Sequence, residues 1–350
     1  MKYFRFLLFP FSILYYIITE IRNWLFDQGI LRSFSLNVKT ISVGNLTIGG
    51  TGKTPLVEYL IRLLKDRYNI VTLSRGYKRK TRGLVIARAQ DTARTIGDEP
   101  AQFFMKYGKV IGVAVCEDRL YAIPHILKSR PETNLILLDD AYQQRGIRST
   151  CNILLTDYNR PFYQDWLIPS GNLRESRRNA DRADAIIITK CPPGLKEEEA
   201  NNIRIILKKF IPISVPVFFM KTLYAEPVPL FDKNLKNTGK VILVTGIAQS
   251  KPLVQYVRQN YQLVYHFKFP DHHYYTNKDI NKIRAYIHNK NLNNYSILFT
   301  EKDVARIRNT SIEDILLDQP VFFQPITYKF VHNGSEFDEF IIKVLEKTDI

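Results

Sequence analysis

A glycine-rich run that ends in lysine and threonine is the first chemistry-bearing feature of this chain: residues 41–54 read ISVGNLTIGGTGKT. A short apolar strand leads into the turn and a helix-like segment leads out. The backbone N–H groups of such a turn close on phosphate oxygens. A lysine reaches the β and γ oxygens, a Ser/Thr hydroxyl binds Mg²⁺, and the helix N-terminus adds a favourable dipole. Gly49, Gly50, Thr51 and Gly52 would form the cradle, with Lys53 and Thr54 in the two side-chain roles. The run departs from GxxxxGK[ST] only at its first position, Thr47, and the remaining glycines keep the loop permissive. The second half of a phosphate site is a buried strand ending in carboxylates, and NLILLDD at 134–140 supplies it. One of Asp139 and Asp140 can hold Mg²⁺ through water while the other orients it. ATP and Mg²⁺ are therefore the expected cofactors. A chance glycine turn and a pair of helix-capping aspartates are the plain alternatives, and they lose weight when both halves occur together.

The elements that must position these residues read as α/β. Continuous Val/Ile/Leu runs at 40–44, 69–73, 110–115, 135–138, 152–155 and 185–189 are typical of strands covered on both faces, hence of a parallel sheet. Segments 55–68 and 117–128 have helical spacing. At 214–231 two extended runs, VPVFFMKT and PVPLF, leave no room for a helix and suggest a hairpin or linker. A second α/β series follows, with strands at 241–245, 262–267, 297–300 and 321–328. The expected organisation is an N-terminal helix over 1–35, a P-loop nucleoside triphosphate domain over 36–213, a hairpin linker over 214–239 and a smaller α/β domain over 240–350.

The net charge of +16 calls for an anionic partner, and no RNA-binding signature, zinc-finger spacing or long basic tail points to nucleic acid. Three scattered cysteines fit a reducing compartment rather than a disulfide framework or zinc site. Residues 6–19, FLLFPFSILYYIIT, are uncharged and aromatic, but the run ends at Glu20, short of the roughly 20 residues a bilayer span requires. No small-residue cleavage site follows. The segment reads as a membrane-interfacial helix started or kinked by Pro10, with Lys2, Arg5, Arg22 and Arg32 at anionic headgroups. A core helix is the alternative.

In order along the chain, SVGNLTIGGTGKTP (42–55), LSRGYKRK (73–80), GDEP (97–100), LDDAYQQR (138–145), IPSGNLRES (168–176), TGIAQ (245–249), FPDHH (269–273) and FTEKD (299–303) resemble the lipid A 4′-kinase (tetraacyldisaccharide 4′-kinase) family. The resemblance implies transfer of the ATP γ-phosphate to the 4′-hydroxyl of a tetraacylated glucosamine disaccharide 1-phosphate at the cytoplasmic face of the bacterial inner membrane. It implies a lipid A disaccharide precursor as partner; the N-terminal segment adds an anionic membrane surface, and no nucleic acid or obligate protein partner is expected from the sequence. A phosphorylated substrate would suit the basic stretch 75–88, which includes Arg75 and surrounds Tyr77.

A sugar hydroxyl needs somewhere to put its proton, and a steered carboxylate is the usual device. By the family's pairing of a GDEP aspartate with a DHH histidine, Asp98 is the expected base and His272 its partner, with His273 as the rival ring. The domain boundaries above would place Asp98 and His272 in different domains, so that a cleft must close to bring them together. Glu99 would serve the second shell of Mg²⁺ or a sugar hydroxyl. Arg119 matches a phosphate-contacting position, Arg174 and Glu175 a substrate-side loop, and Gln143 would position the nucleotide. Gln144 stands where the family often has His, and Ala141–Tyr142 where it usually has Gly–Phe. TEKD at 300–303 would contact the base or cap a helix. A membrane-bound P-loop switch NTPase and a soluble small-metabolite kinase are the competing readings. The first lacks a recognisable switch segment, and the apolar N-terminus disfavours the second.

Overall fold

The computed structural model describes residues 7–332 and 334–347. Lys2 and Arg5, expected at headgroups, lie outside the described residues. In chain order the strands are β1 (Lys39–Asn45), β2 (Ile70–Ser74), β3 (Val85–Ile86), β4 (Gly112–Val115), β5 (Leu135–Asp139), β6 (Cys151–Asp157), β7 (Ala185–Thr189), β8 (Val217–Tyr224), β9 (Val228–Pro229), β10 (Lys240–Thr245), β11 (Gln262–Lys268), β12 (Ser296–Thr300), β13 (Val321–Gln324) and β14 (Ile326–Phe330). The chain is mixed α/β with parallel sheets, as its continuous apolar runs imply.

Two compact units form, and neither is contiguous in sequence. The first holds Met1–Arg75, Asp118–Thr222 and Tyr328–Ile350, and the second holds Gly76–Glu117 and Leu223–Thr327. This differs from the contiguous domains expected at 36–213 and 240–350. Apolar runs reveal that a segment is buried, but not what it is buried against.

In the first unit the strand order is β14-β8-β7-β6-β1-β5-β2. β1 runs parallel to both β5 and β6, with Val43 opposite Asp139 and Gly44 opposite Leu154. The carboxyl ends of β1 and β5 therefore lie side by side, where ligands of open parallel sheets bind. All of β5 and β7 is buried. The helix Lys53–Leu64 turns Leu56, Val57, Leu60, Ile61 and Leu64 inward at helical spacing.

The second unit carries a sheet in the order β11-β10-β12-β13-β9. Its β10 is parallel to β11 and β12, β12 to β13, while β9 is antiparallel to β13. Ile242, Val244, Phe267, Ile280, Ile283 and Phe299 belong to its core. β3 and β4 form an antiparallel pair within the same unit, and Ala93, Ile96, Ala101, Val115 and Ala305 share a smaller cluster. The hairpin expected at 214–231 is not one: β8 pairs with β7 and β9 with β13. Likewise the run 321–328 is two strands, β13 and β14, in different sheets.

The N-terminal helix Phe9–Asp27 has Pro10 in its first turn, where a missing N–H costs nothing. It is inside out by the standard of a soluble helix. Its buried residues are Ser12 and Asn23, whereas Phe11, Ile13, Leu14, Ile17, Ile18, Ile21 and Trp24 are exposed. Polar contacts dock it. Ser12 donates to Leu167 O, Tyr15 Oη to Arg174 O, and Asn23 to Glu175. Among the described residues no helix is long and apolar enough to cross a membrane.

Candidate active site

The glycine turn is held by residues of two other segments. Gly49 and Gly52 have φ of +107° and +87°, in the left-handed region that favours glycine. A Cβ at Gly52 would lie 1.6 Å from the Tyr328 hydroxyl, so the position has no room for a side chain. From the end of β7, Thr189 Oγ1 donates to Thr51 O at 2.7 Å and Lys190 Nζ donates to Gly50 O at 2.5 Å. Asp157 anchors Lys190 in turn at 2.6 Å.

Beyond the turn, Lys53 opens its helix, and Thr54 beside it is buried. Lys53 Nζ donates to Asn45 Oδ1 at 3.2 Å and stands 3.3 Å from Asp140 Oδ1. Arg174 Nη1 reaches both Asp140 oxygens at 3.1 Å. Burial would raise the Asp140 pKa, but Lys53 and Arg174 outweigh it and hold the carboxyl below its usual range. Asp140 has φ +50°, and such backbone conformations gather at functional sites. The Asp turn lies close on β1: a Cβ at Gly44 would meet Tyr142 Cβ at 2.6 Å.

Several expected ligand contacts are internal ones here. Glu175 is buried and takes hydrogen bonds from Gln143 at 2.8 Å and Arg182 at 2.7 Å. Gln143 also donates to Asn45 O at 2.9 Å, so it braces the residue that holds Lys53. Arg119 is buried, and its guanidinium points at the carbonyls of Asp139 and Asp140 from 3.4 Å. Arg75 is exposed at the end of β2. In the basic stretch, Arg79 is not free for an anion, because Glu117 holds it at 2.6 Å.

The second unit builds a different carboxylate site. The helix Asp98–Tyr107 begins at Asp98, where the helix dipole favours an anion. His272, at φ +61°, brings Nδ1 to 2.6 Å from Asp98 Oδ2. Both residues belong to one unit, so no domain closure is needed to bring them together, contrary to expectation. His273 turns away, stacked on Phe269 and bonded to Asp279 at 3.0 Å. Exposed Tyr77 lies edge-on to His272, with ring centroids 5.5 Å apart.

Arg306 escaped the sequence reading. Its Nε donates to Asp98 Oδ2 at 2.8 Å, and its Nη1 donates to Asp303 Oδ1 at 2.9 Å. Burial acts to raise the Asp98 pKa, but the His272 hydrogen bond and the Arg306 charge together hold it below the ordinary range. The i,i+3 spacing of Asp303 and Arg306 just after an apolar strand was the available signal. Thr300 does cap the helix Glu301–Ile307, as one reading of TEKD expected.

Oxygen donors alone, from Thr54, Asp139 and Asp140, would face a metal, which suits a hard cation completed by phosphate and water. No group of three or more His, Cys, Asp or Glu side chains that could hold a metal occurs among the described residues. A protein-only cage is thus absent there, and Glu99, expected near the metal, instead pairs with Lys302 at 2.6 Å.

A family model described as tetraacyldisaccharide-1-P 4′-kinase, LpxK, matches residues 4–346. A tetraacyldisaccharide 4′-kinase of Flavobacterium johnsoniae is 40% identical over 353 residues, with 99% of both chains covered. That of Flavobacterium psychrophilum is 42% identical over 354 residues, again with 99% of both covered. Among solved structures, an "apo" form of LpxK from Aquifex aeolicus in complex with ATP superposes with a TM-score of 0.75 at 27% identity, over 98% of this chain and 99% of the other.

Proposed function

The chain belongs to the tetraacyldisaccharide-1-P 4′-kinase family and is an ATP-dependent kinase of lipid A biosynthesis, and we propose that its two carboxylate sites divide the labour of that reaction. The donor half is a P-loop. N–H groups of the turn ending at Gly52 take the phosphate oxygens of ATP, and Lys53 exchanges its contacts with Asn45 and Asp140 for the β and γ oxygens. Thr54, Asp139 and Asp140 would hold Mg²⁺, which when bound neutralises charge on the transferring phosphoryl group. Arg119 and Gln143 act through others: one fixes the carbonyls of the Asp pair, the other fixes Asn45.

Asp98 receives the proton of the acceptor 4′-hydroxyl as the new O–P bond forms and the bond to ADP breaks. A carboxylate with a depressed pKa is a weak base. In a loose phosphoryl-transfer transition state the nucleophile has formed little bond, so its proton leaves late and a weak, well-placed base suffices. His272 orients that base, and Tyr77 and Arg75 are the candidates for contact with the lipid.

The outward apolar face of the helix Phe9–Asp27 lies in the membrane interface, with Arg22 and Arg32 at anionic headgroups. The use of ATP supports the cytoplasmic side of the inner membrane for that interface. The observation that carries the donor half is the contact of Lys53 with Asp140 beside the glycine turn. The test is phosphate transfer from Mg-ATP to tetraacyldisaccharide 1-phosphate by the purified chain. Incorporation at the 4′ position that disappears with a divalent chelator is expected. Full turnover in the chelator's presence removes the metal assignment.

A further inference from the structure

We propose that Arg306, locked by Asp303, is the positioning residue that fixes Asp98 so that a single carboxylate oxygen faces the acceptor. The inference rests on the reading of Asp98 as the base, and it explains two motifs and one residue that reading leaves idle: TGIAQ, TEKD and Arg306.

The contacts converge on one oxygen. His272 Nδ1 at 2.6 Å and Arg306 Nε at 2.8 Å both reach Asp98 Oδ2, and neither reaches Oδ1. A carboxylate whose Oδ2 is held by two donors cannot rotate freely, so Oδ1 is the oxygen presented for proton transfer. The clamp is itself fixed. Arg306 Nη1 donates to Gly246 O at 2.7 Å and to Asp303 Oδ1 at 2.9 Å. Asp303 is pinned by Gly246 N at 3.0 Å and Thr300 Oγ1 at 2.6 Å. The backbone N–H of His272 also donates to Gly246 O, at 3.0 Å. One carbonyl therefore registers both residues that hold Asp98. The Arg306 and Asp303 side chains are fully buried, which restricts the pair to work inside the protein.

The charges around Asp98 set the sign of the pH effect. Arg306 and His272 touch it, and Asp303 partners Arg306. Glu99 and Lys302 pair with each other nearby, and the Tyr274 hydroxyl is close enough to feel the Asp98 charge. Asp98 works ionised and is held below the usual carboxylate range. Loss of the arginine's positive charge raises its pKa, so activity disappears at a higher pH as the solution is acidified.

The experiment compares Arg306→Met, Arg306→Lys and Asp98→Ala for turnover against pH at saturating Mg-ATP and lipid acceptor. Arg306→Met is expected to lose about 10²-fold in kcat, the scale of misplacing a reacting group by about 1 Å. Its acidic limb should move to higher pH, with KM for ATP unchanged. Arg306→Lys keeps the charge and loses the geometry, so its limb should stay in place while kcat falls about tenfold. Wild-type kcat and limb in folded Arg306→Met overturns the inference. If Arg306→Met does not fold, Arg306→Lys decides: wild-type turnover there overturns it, and a lower kcat with an unmoved limb supports it. Full activity in Asp98→Ala refutes the base itself, whereas an inactive Asp98→Ala beside an unaffected Arg306→Met refutes only the brace.

Discussion

Asp140 and Asp98 are each a carboxylate between two nitrogen-bearing side chains, yet their surroundings differ. Asp140 meets Lys53 and Arg174 at 3.1–3.3 Å, and 37% of its side chain is exposed. Asp98 meets His272 and Arg306 at 2.6–2.8 Å, and 2% of its side chain is exposed. Longer, solvent-screened contacts are weak and exchangeable. Short, desolvated ones are strong, and removing one partner leaves a buried charge uncompensated. The first arrangement, on the proposed reading, would let a lysine leave its carboxylate when phosphate arrives. The second, on the proposed reading, would keep a base in one orientation through every turnover. On that reading burial, not the residue types, would separate a ligand-exchange site from a preorganised one.

The sharpest way to break this contrast is at Asp98. Asp98→Ala should lower turnover by about 10²–10⁴-fold, the usual range for general-base catalysis, with little change in ATP affinity. His272→Ala should cost less, and the double variant should be barely worse than Asp98→Ala alone, because groups acting as a unit are non-additive. Multiplicative losses at saturating ATP would show that the two act independently.

Lys53→Ala comes next, with an expected loss of roughly 10²-fold or more, the scale for removing a preorganised charged donor. Near-normal turnover would remove the phosphate-loop assignment. Asp140→Asn and Asp139→Asn should then show a smaller, Mg²⁺-dependent defect. Because Asp140 is partly exposed and is proposed to exchange partners, raised Mg²⁺ should restore part of its loss. A magnesium titration that leaves both variants unimproved, or that finds both fully active, contradicts the exchange-site reading.

The sequence disclosed the proposed donor half more fully than the proposed acceptor half, for physical reasons. A glycine turn between strand and helix is a local pattern, and residues 41–54 carry all of it. Its supports are not local: Thr189, Lys190 and Tyr328 come from segments with no motif of their own. The acceptor half was legible only as short polar motifs far apart, whose convergence depends on residues 76–117 joining the unit formed by 223–327. Nothing in an apolar run announces such an excursion. Arg306 is the clearest case, since a lone arginine in an otherwise ordinary helix shows its role only when Asp98 is seen beside it.

The smallest expected effect on turnover belongs to the N-terminal helix, and it calls for substitution rather than deletion. Removing the helix would strip Asn23 from Glu175, which also binds the Gln143 that braces Asn45, and would free Arg145 from Asp27. A truncated chain would therefore disturb the donor half for reasons unrelated to membranes. Ile17→Ser, Ile18→Ser and Ile21→Ser alter only the outward face, where each side chain is about half exposed. Burying an isoleucine contributes roughly 1.5–3 kcal/mol, about half of which is still to be gained at these positions. The triple variant should then bind anionic vesicles on the order of 10²-fold more weakly, while turnover on a short-chain, water-soluble acceptor changes by less than about twofold. Co-sedimentation with vesicles measures the first quantity and phosphate incorporation the second. Undiminished vesicle binding would move the membrane contact to another surface. A parallel fall in soluble-acceptor turnover would show instead that this face supports the donor site.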